Sequence, residues 1–544
     1  MKKNGFAQFT LHYILPIGIP FVVFIIHSFF FSKYIIDDAG ISYAYARNLA
    51  SGFGLVSQPG MPPVEGYSNF TWVMLLAPFF MLHAFDPILT PKIIGSVLVL
   101  LTFIVIRQIL SRTTTRPALG TFIVLLFLSV NTSFVLWATA GLENPLYIFF
   151  VILLVYVTIL NNLQQQTKWI ILLGILAALC ALTRPDGVLF SLLYPAFTVL
   201  AWLFAKEKPA IKSILKSFAL YAGVFLMIYG GYVVFRYFYF HDIYPNTYWA
   251  KGGQLSMQPK DWYVKIRDLL KSFGLTRYTL VIFVGMVLYA LVTRSVKKAA
   301  EWIVLLAFSI SFAIFTLMPS DWMPEFRFAT PFIMLFFLSA YLILSRFAEK
   351  LIPNSKAAGW VILLIFALWS VKNMPDYYER SMLQVESPMV PFTDIAEDYA
   401  FRFNHYAEAL HIKNASLLIP DLGGTLYYSD LRIYDLAGLT DKTIARTLRD
   451  DKKAFYDYVF DTLKPTFIHT HKVWAYLSDF DNDPRFREDY VPIRESYDEW
   501  IQTGYREDKY SGDYIRKDAI TDPAILQELQ HEAAEEFDRI GIRN

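Results

Sequence analysis

Eleven apolar runs, each of a length to cross a bilayer, recur along the first two thirds of this chain. They cover about 11–32, 92–110, 117–136, 144–160, 168–183, 187–205, 214–238, 276–293, 300–318, 329–345 and 358–371. Inside lipid every backbone polar group needs an internal partner, so such runs are read as membrane-spanning helices. Composition agrees. Only 18% of the 544 residues are charged, against ~25% in soluble domains. Aromatic residues reach 17%, which suits wide water–lipid interfaces. A net charge of +2 without any basic run gives nothing for nucleic acid to bind. The single cysteine, Cys180, excludes an intrachain disulfide and a cysteine-based metal cluster. The first run follows Lys2 and Lys3 with no small-residue cleavage site after it, so it is expected to remain as the first helix.

One further run, Phe70 to Ala84, decides the topology. At ~1.5 Å per residue it reaches about 22 Å, short of the ~30 Å hydrocarbon core. If it does not cross, Arg107, Arg112, Arg116, Lys168, Lys206, Lys208, Lys212, Lys216, Arg294, Lys297, Lys298, Arg346, Lys350 and Lys356 all share the side of Lys2 and Lys3. That is the positive-inside arrangement. The run is therefore expected to lie in the outer interface as a juxtamembrane helix. The basic loop 239–277 is the exception, lying outside with Lys251, Lys260, Lys265, Arg267, Lys271 and Arg277. The reading is a multi-pass protein of the cytoplasmic (inner) membrane, with the N-terminus cytoplasmic and about 11 crossings.

From Asn373 onward no run spans and charge becomes dense. The division expected is a membrane domain over 1–372 and a soluble extracytoplasmic domain over 373–544. Short apolar runs at Ala415–Pro420, Thr425–Tyr428 and Thr466–Ile468 alternate with helical patterns at about 393–411, 441–461 and 522–540, which predicts a small α/β domain.

In this topology the polar clusters other than lysine collect outside. They are Asp37, Asp38, Arg47, Glu65 and Asn69 in the first loop; Glu143; Arg184 and Asp186; His241, Asn246, Tyr248 and Lys251; and Asp321, Trp322 and Arg327. Ionisable groups near membrane depth are costly, so they are functional candidates. Adjacent carboxylates push each other's pKa apart, which suits a general base beside an orienting partner. Each cluster also has a plainer explanation. Asp37 and Asp38 fit helix caps, Arg184-Pro185-Asp186-Gly187 fits a turn, Arg327 and Lys251 fit interfacial anchors, and Glu143 fits a helix N-terminus. His469 and His471 would share one strand face as metal ligands can, but no third ligand is near in sequence and a surface pair is the better reading.

The stretches DDAGISYAYARNLASGFGLV and VEGYSNFTW resemble the first-loop signature of polytopic GT-C glycosyltransferases, in particular the terminal arabinofuranosyltransferases of mycobacterial cell-wall assembly and their bacterial relatives. AGLENPLY, LTRPDG, YPNTYWAK, DWMPEFRF and PDLGGTLYYSDLRIYDLAGLTD are similar to further blocks of that group. The resemblance implies a GT-C-like helical fold with juxtamembrane helices in the first outer loop. It also implies a polyprenyl-phosphate sugar donor, an acidic first-loop residue as base, and an acceptor that is a glycan, glycolipid or protein. The matched positions are Asp37 and Asp38. The sequence does not separate them, although Asp38 is favoured as base with Asp37 orienting it. Arg184, Arg327, Lys251 and His241 are the candidates to stabilise the leaving phosphate. Gly40 departs from the resemblance, standing where a bulkier apolar residue is expected, and would open the site to a different sugar.

No cofactor is required by the sequence; a divalent cation is compatible with it. The function expected is inverting transfer of a sugar, arabinofuranosyl by resemblance, on the outer face of the membrane. The alternatives are a hexosyl donor, a transporter or flippase of lipid-linked sugars, and a binding scaffold built on the outer domain. No Gly/Pro-interrupted helix pair of the kind transporters use is evident. Asp421, Tyr427, Tyr428 and Asp435 are the tail's acceptor candidates.

Overall fold

The long apolar runs form a helical bundle whose central member is Arg327–Leu351. In its most apolar stretch 89% of residues are buried, against 11% for the peripheral helix Ile211–Phe240. The computed structural model describes residues 10–161, 166–205, 207–252, 259–274, 298–319, 321–352, 354–502 and 505–541.

Among these residues eight helices are long and apolar enough to cross a membrane: His12–Phe31, Leu89–Thr113, Asn144–Asn161, Pro185–Phe204, Ile211–Phe240, Ala299–Leu317, Arg327–Leu351 and Lys356–Glu386. The expected run 117–136 becomes two helices, Pro117–Val130 and Thr132–Thr139, bent by 72°. Counted as one span, they make nine. Asn131 is the break, its side chain capping the second helix by accepting from Phe134 N. The run 168–183 is the helix Thr167–Thr183, of 17 residues, and the run 276–293 lies outside the described residues. The last span does not stop near residue 371. It continues unbroken to Glu386 with Pro375 inside it.

Phe70–Met81 is a helix of twelve residues, about 18 Å long. It packs beside Asp38–Ala50, the first-loop helix, and against Thr167–Thr183. Thr71 and Thr183 hydroxyls meet at 2.6 Å, and Trp72 Nε1 donates to the Gly141 carbonyl at 3.1 Å. At the opposite end of the bundle Arg346 pairs with Glu301 and Glu349, and Arg116 with Glu349 at 3.4 Å.

The tail carries one five-stranded sheet in the order β2-β1-β3-β5-β4. Its strands are β1 (Ser416–Ile419), β2 (Arg432–Asp435), β3 (Phe467–Thr470), β4 (Tyr490–Gln502) and β5 (Tyr505–Arg516). β1 runs parallel to β2 and β3; β5 is antiparallel to β3 and β4. The expected α/β character holds, with one exchange. The run Thr425–Tyr428 is the end of a helix, Gly423–Tyr428. Its first N–H groups are taken by a carboxylate from the other part of the chain, and that fixes a helical start.

The tail is bound to the outer loops along a broad contact. Ile36 and Pro391 form an antiparallel bridge, Asp37 N donates to Val390 O at 3.0 Å, and Phe392 N donates to Ile35 O at 2.9 Å. Gln58 exchanges hydrogen bonds with Leu431 O at 3.1 Å and Ile433 N at 2.9 Å. Arg446 pairs with Asp242 at 2.5 Å.

Candidate active site

The chain leaves the first membrane helix at Phe31, and Lys92 fixes the exit. Its ammonium donates to the carbonyls of Phe31 at 2.8 Å, Tyr34 at 2.7 Å and Thr139 at 3.0 Å. A cation at helix C-termini satisfies carbonyls that have no partner within their own helices. This lysine opens an apolar run, and an ionisable residue inside such a run was the signal that could have singled it out.

Six residues further on, Asp37 and Asp38 begin the helix Asp38–Ala50 and diverge. The Asp37 carboxylate accepts from Gly423 N at 2.9 Å and Gly424 N at 2.6 Å. Both glycines are required here, since a Cβ on Gly423 would overlap the Asp37 carbonyl and one on Gly424 would meet Phe392 O at 2.5 Å. Burial pushes the Asp37 pKa well above the usual carboxylate value, against the pull of the two N–H groups. Asp37 is 4% exposed, whereas Asp38 is half-buried. Burial raises the Asp38 pKa, while Arg327 and Lys251 draw it down and Asp321 and Glu143 oppose them. Asp37 is thus consumed in holding the tail, and Asp38 is left facing cations.

The wall opposite is a buried charge network. Arg184 Nη1 meets Glu143 Oε1 at 2.8 Å, and its Nε meets Asp186 Oδ1 at 3.0 Å. Asn69 donates to Glu143 Oε2 at 3.0 Å and is held by Ser42, and Tyr147 donates to Asp186 at 3.2 Å. Burial alone would raise the Glu143 pKa, yet Arg184, Arg327 and the Asn69 amide bring it below the ordinary value. Arg327 pairs with Asp321 at 2.8 Å. The Phe328 ring lies between the two guanidiniums, 4.6 Å from Arg184 and 4.8 Å from Arg327. Left-handed backbone at Glu325 and Phe326 turns the chain so that Arg327 heads its helix beside the cleft. Lys251 is exposed. Burial and repulsion from Arg327 lower its pKa, with Asp38 and Asp321 acting the other way.

The sequence-derived residues therefore separate into two groups. Asp38, Asn69, Glu143, Arg184, Asp186, Lys251, Asp321 and Arg327 are linked by contact or by charge. The others hold the frame. Arg47 donates to Tyr427 O at 2.7 Å and lies over the Tyr427 ring. Glu65 pairs with Arg236 at 2.5 Å and accepts from Tyr232 at 2.6 Å. Asn246 donates to Gly438 O at 2.7 Å. His241 is exposed with a left-handed backbone at the end of its helix. Tyr248 stacks on Tyr244 with centroids 4.9 Å apart, and Trp322 is exposed. Gly40 does not open the site. A Cβ there would lie 2.5 Å from the Gly423 carbonyl, so the glycine exists to admit the tail. Tyr147, Phe328 and the Gly423-Gly424 pair were missed as partners, because nothing in their local sequence announces contacts so distant along the chain.

A divalent cation finds no ready ligand set. Among the described residues no three His, Cys, Asp or Glu side chains converge as a metal needs. Glu143, Asp186 and Asp321 are held in ion pairs, and Asp37 accepts two backbone N–H groups.

A bundle of this kind, with Asp38 at the head of the first-loop helix in the field of Arg327 and an α/β domain after the last span, defines a polytopic membrane protein of GT-C fold. Three solved structures of the Archaeoglobus fulgidus oligosaccharyltransferase AglB share it. The complex with zinc and sulfate gives a TM-score of 0.52 at 14% identity, covering 90% of this chain and 73% of that one. The apo form gives 0.52 at 11% identity, covering 91% and 74%. The complex with an inhibitory peptide and a dolichol-phosphate gives 0.51 at 12% identity, again covering 91% and 74%. Residues 395–515 match a family described as a domain of unknown function, DUF8728. No curated protein matches the chain.

Proposed function

We propose that the chain is a membrane glycosyltransferase that moves a sugar from a polyprenyl-phosphate donor to a hydroxyl-bearing acceptor on the outer face of the cytoplasmic membrane, with Asp38 as general base. The observation that carries this is the division of labour between neighbouring carboxylates: Asp37 is tied to Gly423 and Gly424, while Asp38 is left within the field of Arg327 and Lys251. The dolichol-phosphate held by the archaeal structure is a lipid phosphate of the same class as the donor. An arabinofuranosyl donor rests on the sequence resemblance alone. The membrane part, 1–372, and the outer domain, 373–544, then meet within the unbroken helix Ser355–Glu386, with the N-terminus cytoplasmic.

In the step proposed, Asp38 takes the acceptor hydroxyl proton as the oxygen attacks the anomeric carbon. The bond from that carbon to the phosphate oxygen breaks, and the polyprenyl phosphate leaves with the electron pair. Arg327 and Lys251 stabilise its growing charge. Arg184, fixed by Glu143 and Asp186, keeps its positive charge aimed at the same cleft without reorganising. Attack opposite the leaving group inverts the anomeric centre.

The test is transfer from synthetic polyprenyl-phosphate arabinofuranose and polyprenyl-phosphate mannose by the purified protein. Wild type is compared with Asp38→Asn and Asp37→Asn. Loss in Asp38→Asn with a residual rate in Asp37→Asn is expected; unchanged transfer in Asp38→Asn overturns the assignment. A flippase would move the donor across vesicles and leave it uncleaved.

A further inference from the structure

The parallel strands β1 and β3 end side by side, and the crevice beyond the carboxyl ends of parallel strands is where open α/β sheets bind ligands. Here that edge holds two imidazoles, each fixed by its own carboxylate. His471 Nε2 meets Asp421 Oδ2 at 2.5 Å, and His469 Nδ1 meets Asp513 Oδ1 at 2.6 Å. The two rings lie 5.3 Å apart, and Tyr399 packs on both, 4.5 Å from His469 and parallel to His471. The surface pair expected from sequence is not found: His469 is 2% exposed, and its Nε2 is a buried atom without a hydrogen-bond partner among the described residues. His471 and Asp421 are open, with side chains 25% and 16% exposed.

The ring chemistry fixes what can bind. A neutral imidazole that donates one N–H to a carboxylate presents the other nitrogen as an acceptor. Burial holds the His469 pKa at about 4, so its Nε2 is a bare lone pair near neutral pH. Beside it His471 is held through Nε2 by the carboxylate of Asp421, a group that only accepts when ionised. The edge therefore offers hydrogen-bond acceptors and asks for O–H donors. Arg402, the cation against Asp513, is already bound to it at 3.2 Å.

The edge also adjoins Asp37, the residue before Asp38. Leu422 alone separates Asp421 from Gly423, whose N–H is bound to Asp37, and the charge of Asp421 acts on Asp37. We propose that Asp421, His471 and His469 form a subsite for a hydroxyl-rich acceptor carbohydrate, seating it so that a neighbouring hydroxyl reaches Asp38. This assignment rests on the transferase reading.

Binding of methyl arabinofuranoside and methyl mannopyranoside to the full chain, measured by saturation-transfer NMR in detergent, is the direct test. His471→Phe keeps the ring against Tyr399 and removes the nitrogen, and should weaken binding about tenfold, the loss of one or two hydrogen bonds. His471→Gln restores an acceptor oxygen and should recover most of it, which guards against a folding defect. In transfer assays the same pair should move the acceptor KM more than kcat. Equal binding by wild type and His471→Phe overturns the subsite, whether or not sugar is transferred. Binding that depends on His471 without any transfer leaves the subsite standing and overturns the transferase reading instead.

Discussion

Glu143 Oε1 lies 2.8 Å from Arg184 Nη1, with 8% and 7% of the two side chains exposed. A buried ion pair is weak support for stability, but breaking one from a single side leaves an uncompensated charge at a cost of about 3–5 kcal/mol. Glu143→Ala should therefore lower the thermal midpoint of the detergent-solubilised protein clearly. Glu143→Gln keeps an oxygen toward Arg184 and should lower it less. Equal midpoints for the two variants would show that the pair is not what holds this wall.

Asp38→Asn should reduce transfer by roughly 10²–10⁴, the range for losing a general base, with little change in stability. Asp37→Asn should do the opposite. One amide cannot accept both glycine N–H groups, and a buried donor left without a partner costs about 1–3 kcal/mol. Chemical denaturation and single-turnover transfer on the same preparations separate the two outcomes.

Transfer should fall as pH falls, because only the ionised Asp38 accepts a proton. Burial raises its pKa more than Arg327 and Lys251 lower it, so the acid limb should lie above the ordinary Asp value of about 3.9. Arg327→Gln removes the nearer restraint and should move that limb to higher pH. A limb that stays in place when Arg327 is replaced would refute the electrostatic coupling.

Gly423→Ala should undock the tail, since the added methyl overlaps the Asp37 carbonyl, and overpacking of this kind costs about 1–3 kcal/mol. Faster limited proteolysis between residues 386 and 423 than in wild type is the expected readout. Gly230→Ala, which meets only a Leu226 methylene at 4.0 Å, is the control.

Cysteines placed at Ile88 and Thr115, in a protein whose own Cys180 is buried, should label from opposite faces, position 88 from outside. Labelling of both from one face would refute the spanning role of Leu89–Thr113.

The membrane architecture was legible because hydrocarbon imposes a length on every span, and Phe70–Met81 failed that length. The bend at Asn131 was not, since the whole run 117–136 is apolar and only a cap hydrogen bond marks the turn. Composition and spacing pointed to the Asp37–Asp38 pair, yet the difference between the two is made by Gly423 and Gly424, 386 and 387 positions away. Arg47, Glu65 and Asn246 looked functional for the same reason that Asp38 did, being polar where packing does not ask for polarity. Their partners turned out to be backbone carbonyls and neighbouring side chains that hold the outer loops and tail together. The β1 and β3 strands could be seen in the sequence, but the imidazole–carboxylate pairs at their edge join His471 to Asp421 beyond β1 and His469 to Asp513 within β5.

The bridge between Ile36 and Pro391 has a consequence for biosynthesis. The first loop is made early in translation, but its partner at Pro391 follows only after the last apolar helix, Lys356–Glu386. Contacts of such separation form late. A ribosome-stalled or truncated product would carry Asp37 without its glycine anchor, so the first-loop helix would find its docked setting only when the chain was nearly finished.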